Sequence, residues 1–309
     1  MPARFAVLAS GSQGNSCLVQ TGRVGLLIDA GLGPRILEQR LEHLGVPPER
    51  IAAVVLTHLH ADHFHPQTLA WMNRRNVTLH LHESQVDRLV GHPDFESLAR
   101  AGRVLSFDSR PWPTPLGLTI EAIDLTHDAE TTHGFRLEGR PTRREAPVAL
   151  GLATDTGAWT PALAEALAQV DLLAIEFNHD SQMQRESGRP AFLIRRVMSD
   201  AGHLSNEQAG LLLADITRRS GAHPPRDVVL MHLSRQCNRP DLALQAARAA
   251  LASVGRRARL HVGLQHQAGP DLTLYGRGRR GPAIPSTLAH SSTRTRRPVM
   301  VQDPPDVPF

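Results

Sequence analysis

Ile51-Ala52-Ala53-Val54-Val55-Leu56-Thr57-His58-Leu59-His60-Ala61-Asp62-His63 runs from an unbroken apolar segment straight into four metal-binding side chains. The apolar half is short and β-branched, which reads as a buried strand, and the pattern from Pro66 onward reads as a helix. Thr57 to His63 therefore form a strand-to-helix loop. Neutral imidazoles and carboxylates suit borderline cations such as Zn²⁺, and a sharply turned loop can divide its ligands between two adjacent ions. His58 and His60, two residues apart, suit one ion; Asp62 and His63 suit the second. Four side chains are too few for two ions, so the loop predicts partners at distant strand ends.

Three positions answer that expectation. His127 follows a strand over Leu118–Ile123, Asp155 ends one over Ala149–Thr154, and His232 ends one over Asp227–Met231. A carboxylate can bridge two cations about 3.5–4 Å apart, which makes Asp155 the natural bridge. Asp29, closing the apolar run Leu26-Leu27-Ile28, is the residue expected to orient the histidine loop from behind its ligands.

Working outward, short apolar runs alternate with helical patterns, the mark of an α/β protein. Further strands are expected at Arg4–Ala9, Cys17–Thr21, Val24–Asp29, Ile51–Thr57, Val77–His82, Val104–Phe107, Gly134–Leu137, Leu172–Glu176 and Leu260–Val262. Helices are expected at Pro34–Leu44, Pro66–Arg74, Glu83–Val90, Pro161–Ala168, Ala191–Met198, Asn206–Arg218 and Pro240–Val254. Ser205-Asn206-Glu207-Gln208 has capping-box spacing, so His203 should stand just ahead of a helix whose free N–H groups favour an anion. His203, Ser205 and His179 are thus candidate substrate contacts. Asn15 joins them from the small-residue loop Ser10–Ser16, which reads either as a hairpin connection or as backbone N–H groups facing a phosphate. His80 and His82 repeat the His-x-His spacing without the Asp-His that follows, and read as structural.

Composition narrows the class. With 309 residues, 41% hydrophobic and 21% charged, the chain can bury a full core and is not a disordered protein. No apolar run approaches the ~18–20 residues needed to span a bilayer. The two cysteines, Cys17 and Cys237, build neither a disulfide framework nor a thiolate zinc site, so a cytoplasmic location is expected. Lysine is absent, and all 34 basic residues are arginine. Six of them fall within residues 276–309, a Pro-, Ser- and Arg-rich stretch expected to be a disordered tail behind a single domain over residues 1–275. The net charge of +4 resides in that stretch, so the body is neutral and its charge does not argue for nucleic acid.

Ile28-Asp29-Ala30-Gly31, Thr57 to His63, His127, Thr154-Asp155-Thr156-Gly157 and His232, in that order, resemble the five motifs of the metallo-β-lactamase superfamily. The resemblance implies a four-layer αββα sandwich with a binuclear site at its edge. One metal would take His58, His60 and His127, the other Asp62, His63 and His232, with Asp155 bridging. Ala9–Ser16, Glu176-Phe177-Asn178-His179-Asp180 and Gly202-His203-Leu204-Ser205-Asn206 are similar to the YycJ/WalJ exonuclease branch over roughly residues 4 to 265. Gln13, Ser16 and the segment Arg235-Gln236-Cys237-Asn238-Arg239 depart from it.

The expectation is a hydrolase carrying two divalent ions, Zn²⁺ or Mn²⁺, that attacks with a metal-bridging hydroxide. Asp62 would accept or orient its proton, and His203 or His179 would bind the phosphate or protonate the leaving oxygen. The substrate expected is DNA or another phosphodiester, cut by a 5′-to-3′ exonuclease. The alternatives are a small-molecule hydrolase acting on a cyclic phosphodiester, lactone or thioester, and a non-catalytic metal-binding sensor or scaffold, whose signature would be a lost ligand.

Overall fold

The computed structural model describes residues 2–276 apart from 130, 143 and 144. Residues 277–309, where the disordered tail is expected, lie outside the described residues.

In chain order the elements are β1 (Arg4–Ala9), β2 (Ser16–Thr21), β3 (Val24–Ile28), α1 (Pro34–His43), β4 (Ile51–Val55), α2 (Gln67–Arg75), β5 (Thr78–His82), α3 (Pro93–Arg100) and β6 (Val104–Phe107). There follow β7 (Trp112–Pro113), β8 (Leu118–Leu125), β9 (Thr132–Gly139), β10 (Val148–Ala153), α4 (Pro161–Ala166), β11 (Leu172–Glu176), α5 (Ser181–Arg185), α6 (Ala191–Val197) and α7 (Asn206–Arg219). The series closes with β12 (Asp227–Met231), α8 (Pro240–Ser253), β13 (Arg259–Val262) and β14 (Asp271–Thr273).

The strands form two seven-stranded mixed sheets, ordered β14-β1-β2-β3-β4-β5-β6 and β13-β12-β11-β10-β9-β8-β7. Alternation along each strand explains the layering. In β1, Phe5 and Val7 face the second sheet, joined by Leu26, Ile28 and Val55 against Phe135, Leu137, Leu150 and Val229. Ala6 and Leu8 face outward with Leu27, Val54 and Leu79, beneath Leu37, Leu41, Trp71, Met72 and Phe95 of α1, α2 and α3. The outer face of the second sheet packs in the same way under α4, α7 and α8. Three apolar interfaces between four layers make the α/β sandwich that the sequence implies.

The differences from expectation are local. β7 and β14 are two and three residues long and add only to sheet edges, too short for any periodicity to announce. The helix expected at Glu83–Val90 is a 3-10 helix over Glu83–Arg88, and the α-helix follows at α3, entered through Pro93 with the His92 side chain accepting from Asp94 N. Parallel pairing of β3, β4 and β5, and of β10, β11 and β12, brings the carboxyl ends of these strands to one side of each sheet. The chemistry-bearing residues leave the strands there.

Candidate metal centre

The histidine loop is held from beneath. Asp29 Oδ1 accepts from the backbone N–H (2.8 Å) and hydroxyl (3.0 Å) of Thr57, and Asp29 Oδ2 accepts from His63 Nδ1 at 2.7 Å. Gly31 passes so close under the loop that a Cβ there would lie 1.8 Å from the Asp62 carbonyl oxygen. From the first hairpin, Asn15 donates its backbone N–H to the Asp62 carbonyl at 2.6 Å and its amide to Asp62 Oδ2 at 3.1 Å. Asp29, Asp155 and His232, each just past the end of a strand, have φ of 63°, 63° and 54°. Left-handed backbone at a non-glycine residue costs roughly 1–2 kcal/mol. Three such positions flank the histidine loop, and each aims a carboxylate or imidazole at the same cluster.

Hydrogen bonding at Nδ1 decides what each ring offers. His63 gives its Nδ1 proton to Asp29, and His127 Nδ1 faces the Gly202 carbonyl at 3.0 Å. His58 Nδ1 lies 3.0 Å from the Thr57 hydroxyl, whose hydrogen is directed at Asp29, and His232 Nδ1 is 3.2 Å from Glu176 Oε1. In a neutral imidazole with its proton on Nδ1, Nε2 presents a lone pair. The Nε2 atoms of His63 and His232 point at carboxylates. His63 Nε2 is 3.0 Å from Asp155 Oδ2, and His232 Nε2 is 3.3 Å from Asp62 Oδ2 and 3.5 Å from Asp155 Oδ1. His58 Nε2 and Asp155 Oδ2 are buried with no hydrogen bond.

Ring nitrogens facing carboxylates in a buried cluster call for positive charge, carried by a proton on the ring or by a cation between the groups, and the chemistry of this donor set fits divalent cations. The ligand atoms of His58, His60 and His127 lie within 4.8 Å of one another, and so do those of Asp62, His63, Asp155 and His232. Two groups, each able to hold an ion, are therefore present. A third grouping, Asp155, Glu176, His203 and His232, shares two members with the second, and its Glu176 is already hydrogen-bonded to His203 at 2.8 Å.

Electrostatics reports the same excess of negative charge. Burial opposes charging His63 and His232, yet Asp155 with its neighbouring carboxylates outweighs it, raising His63 well above the usual imidazole range and His232 to about 10. Burial likewise opposes an ionised Asp155, but His232 and His63 hold it well below the usual carboxylate range. Desolvation drives His58 well down and His60 down, the latter helped by His127. Glu176, despite complete burial, is lowered to about 2 by His203, which is raised in return.

Every residue expected as a ligand therefore meets the others in one cluster of side chains. The expected substrate contacts fare differently. The Asn15 amide is engaged with Asp62, and its Oδ1 accepts from Gly11 N at 2.8 Å, so the side chain orients the loop instead of facing a phosphate. Ser205 caps α7 through a full capping box and is buried. The anion expected at that helix end is the protein's own: Leu204 N donates to Glu176 Oε2 at 3.1 Å, while Ser205 N goes to Gln208 Oε1 and Asn206 N to the His179 carbonyl. His179 is buried with Nδ1 unpaired and its pKa pushed by desolvation to about 4. His203 keeps a partly exposed ring, with Nδ1 on Glu176 and Nε2 left for a ligand.

Reasoning from the sequence left three residues without a role. Glu176 ends an otherwise apolar strand, the same signal that singled out Asp29 and Asp155. Asn178 donates to the His232 carbonyl at 2.9 Å. Asp128 Oδ1 stands 3.3 Å from His127 Nε2 and 3.9 Å from His60 Nε2.

Comparison with known proteins places this geometry. The chain is 28% identical over 261 residues to exodeoxyribonuclease YycJ of Bacillus anthracis, covering 82% of this chain and 91% of that protein. It is 29% identical over 245 residues to exodeoxyribonuclease WalJ of Streptococcus pneumoniae, covering 78% and 85%. Among solved structures, the metallo-beta-lactamase fold protein YhfI from Bacillus subtilis superposes with a TM-score of 0.63 at 16% identity, covering 87% of this chain and 99% of that one. Zn²⁺-bound PqqB from Methylobacterium extorquens gives 0.61 at 16% identity over 86% and 99%. The family model described as "Beta-lactamase superfamily domain" matches residues 25–233, a span that takes in all seven expected ligands, and the chain belongs to that superfamily.

Proposed function

We propose that the chain is a two-metal phosphodiesterase that removes nucleotides from the 5′ end of DNA. The observation that carries this reading is the convergence of histidine Nε2 atoms on Asp62 and Asp155 in one buried cluster of seven candidate ligands. The relatives named exodeoxyribonucleases, matched over most of their length, support the choice of polymer. His58, His60 and His127 would hold one cation and Asp62, His63 and His232 the other, with Asp155 between the two groups. Zn²⁺ and Mn²⁺ both suit this donor set. Bound there, the ions would supply Lewis acidity to a phosphodiester and lower the pKa of a water towards neutrality.

The protein's own groups do the rest. Asp62 has a side chain about one-fifth exposed, against 3% or less for His63, Asp155 and His232. Its Oδ2 accepts from the Asn15 amide, leaving Oδ1 to accept a proton. Glu176 holds His203 by Nδ1, so that Nε2 can bind the phosphate or protonate the departing oxygen. Asn15 supports Asp62 from behind, and Ser205 and the His179 carbonyl hold the start of α7 beside His203. No helix among the described residues is long and apolar enough to cross a membrane, and both cysteines are buried and unpaired, which supports a reducing, cytoplasmic setting.

The test is release of label from 5′-end-labelled single- and double-stranded DNA by protein of measured metal content, with His58→Ala as the control. The reading requires mononucleotide release that His58→Ala abolishes. Hydrolysis of a lactone or thioester with no cleavage of any phosphodiester would replace it with the small-molecule alternative.

A further inference from the structure

Helix α6, Ala191-Phe192-Leu193-Ile194-Arg195-Arg196-Val197, buries none of its residues although most of them are apolar. Phe192 is 64% exposed. Phe192, Arg195 and Arg196 stand at i, i+3 and i+4 and so share one face of the helix. That face adjoins the metal centre. Arg196 Nε bonds Asp128, whose other oxygen is 3.3 Å from His127 Nε2. The last turn is fastened as well: His203 N donates to the Val197 carbonyl at 2.9 Å, and Gly202, whose carbonyl faces His127 Nδ1, lies so near that a Cβ there would be 2.2 Å from the Arg196 carbonyl oxygen. Arg195 is exposed and makes no ion pair among the described residues, and Arg189, two positions before the helix, bonds the neutral amide of Gln236.

An exposed ring flanked by guanidinium groups, fixed on the rim of a hydrolytic centre, has the chemistry of a base-stacking and phosphate-binding platform. A second copy of the chain suits it less, because a two-fold pairing through this face would set Arg195 and Arg196 against their own copies. We propose that α6 grips a single-stranded polynucleotide, Phe192 stacking against a base and Arg195 holding a backbone phosphate next to the bond to be cut. Arg196, occupied by Asp128, acts as a positioning residue for the helix. The proposal rests on the phosphodiesterase reading for the identity of the polymer.

Two measurements separate the grip from the chemistry. Fluorescence anisotropy with a fluorescein-labelled phosphorothioate oligonucleotide reads binding, and KM for end-labelled single-stranded DNA relative to bis(p-nitrophenyl) phosphate reads use of the grip. Phe192→Ala should weaken oligonucleotide binding roughly five- to a hundredfold, the range of one base–aromatic stack. It should raise the ratio of the two KM values by a similar factor, and Phe192→Trp should restore both. Arg195→Ala should weaken binding and lower the slope of log Kd against log salt by about one. Unchanged binding in Phe192→Ala, equal effects on both substrates, or a wild-type dimer that this substitution converts to monomer without affecting oligonucleotide binding would each overturn the proposal. A wild type that binds the oligonucleotide through Phe192 yet cleaves no DNA would instead remove the nuclease reading and leave the grip.

Discussion

The first sheet contributes to the centre from a single loop, with His58, His60, Asp62 and His63 inside six consecutive positions after β4. The second contributes one residue at a time: His127 after β8, Asp155 after β10, Glu176 at the end of β11 and His232 after β12. The loop is compact in sequence and needs outside support, which Asp29, Gly31 and Asn15 provide by direct contact. The second set needs no such loop, because parallel pairing of β10, β11 and β12 aligns the strand ends. What it demands is unusual backbone, since Asp155 and His232 turn at positive φ to aim at the histidine loop. A motif close in sequence is positioned by its neighbours, whereas one assembled from strand ends is positioned by the sheet.

If both halves are indispensable, removing the shared carboxylate should have the largest effect. Asp155→Asn is expected to reduce turnover at least about a thousandfold and to lower the number of ions bound, measured by elemental analysis alongside kcat. Full activity with unchanged metal would mean that the histidine loop suffices. His203→Ala should slow phosphodiester cleavage roughly 10²–10⁴-fold with metal content preserved, and should slow a carboxylic ester less. Equal losses on the two substrates would assign His203 to structure. Asp29→Asn keeps a side chain that tolerates positive φ but weakens the hold on Thr57 and His63. Metal affinity should fall about 10–100-fold, read by competition with a chelating dye, with the fold intact by circular dichroism.

The smallest effect on catalysis should come from the second His-x-His, which sharpens the contrast. His80 on β5 is buried, and desolvation lowers its pKa to about 4 from an unfolded value of 6.5. The unfolded chain therefore takes up this proton first. The contribution to stability is complete above about pH 6.5 and lost as pH falls towards 4, by at most about 3 kcal/mol. Urea titrations of wild type and His80→Phe across that window should show a shallower acid loss in the variant, with its metal content equal to wild type at pH 7.5. A drop in bound metal would make His80 part of the centre.

Much of this was legible in the chain itself. Thr57 to His63 announces a metal loop because its residue types and spacing admit few other uses, and period-two alternation against helical periodicity announces the alternating layers. Asp29, Asp155 and Glu176 share one signal, a carboxylate closing an apolar strand, but only the first two also carry a turn-forming small residue nearby, and Glu176 stayed without a role. β7 and β14 were invisible because two or three residues at a sheet edge carry no period. Helix α6 reads from sequence as an ordinary amphipathic helix, and nothing in Ala191–Val197 says that no core will cover Phe192.

The sequence by itself determined the donor residues, their order and the sandwich that carries them, because ligand chemistry and hydrophobic periodicity are local properties. Only the tertiary structure decided that Glu176 holds His203 by Nδ1 and fills the anion position at the start of α7, and that Asn15 serves Asp62. Those outcomes depend on hydrogen bonds between residues 20 to 50 positions apart or more, and such partners are chosen by how strand ends meet in space, which no local pattern records.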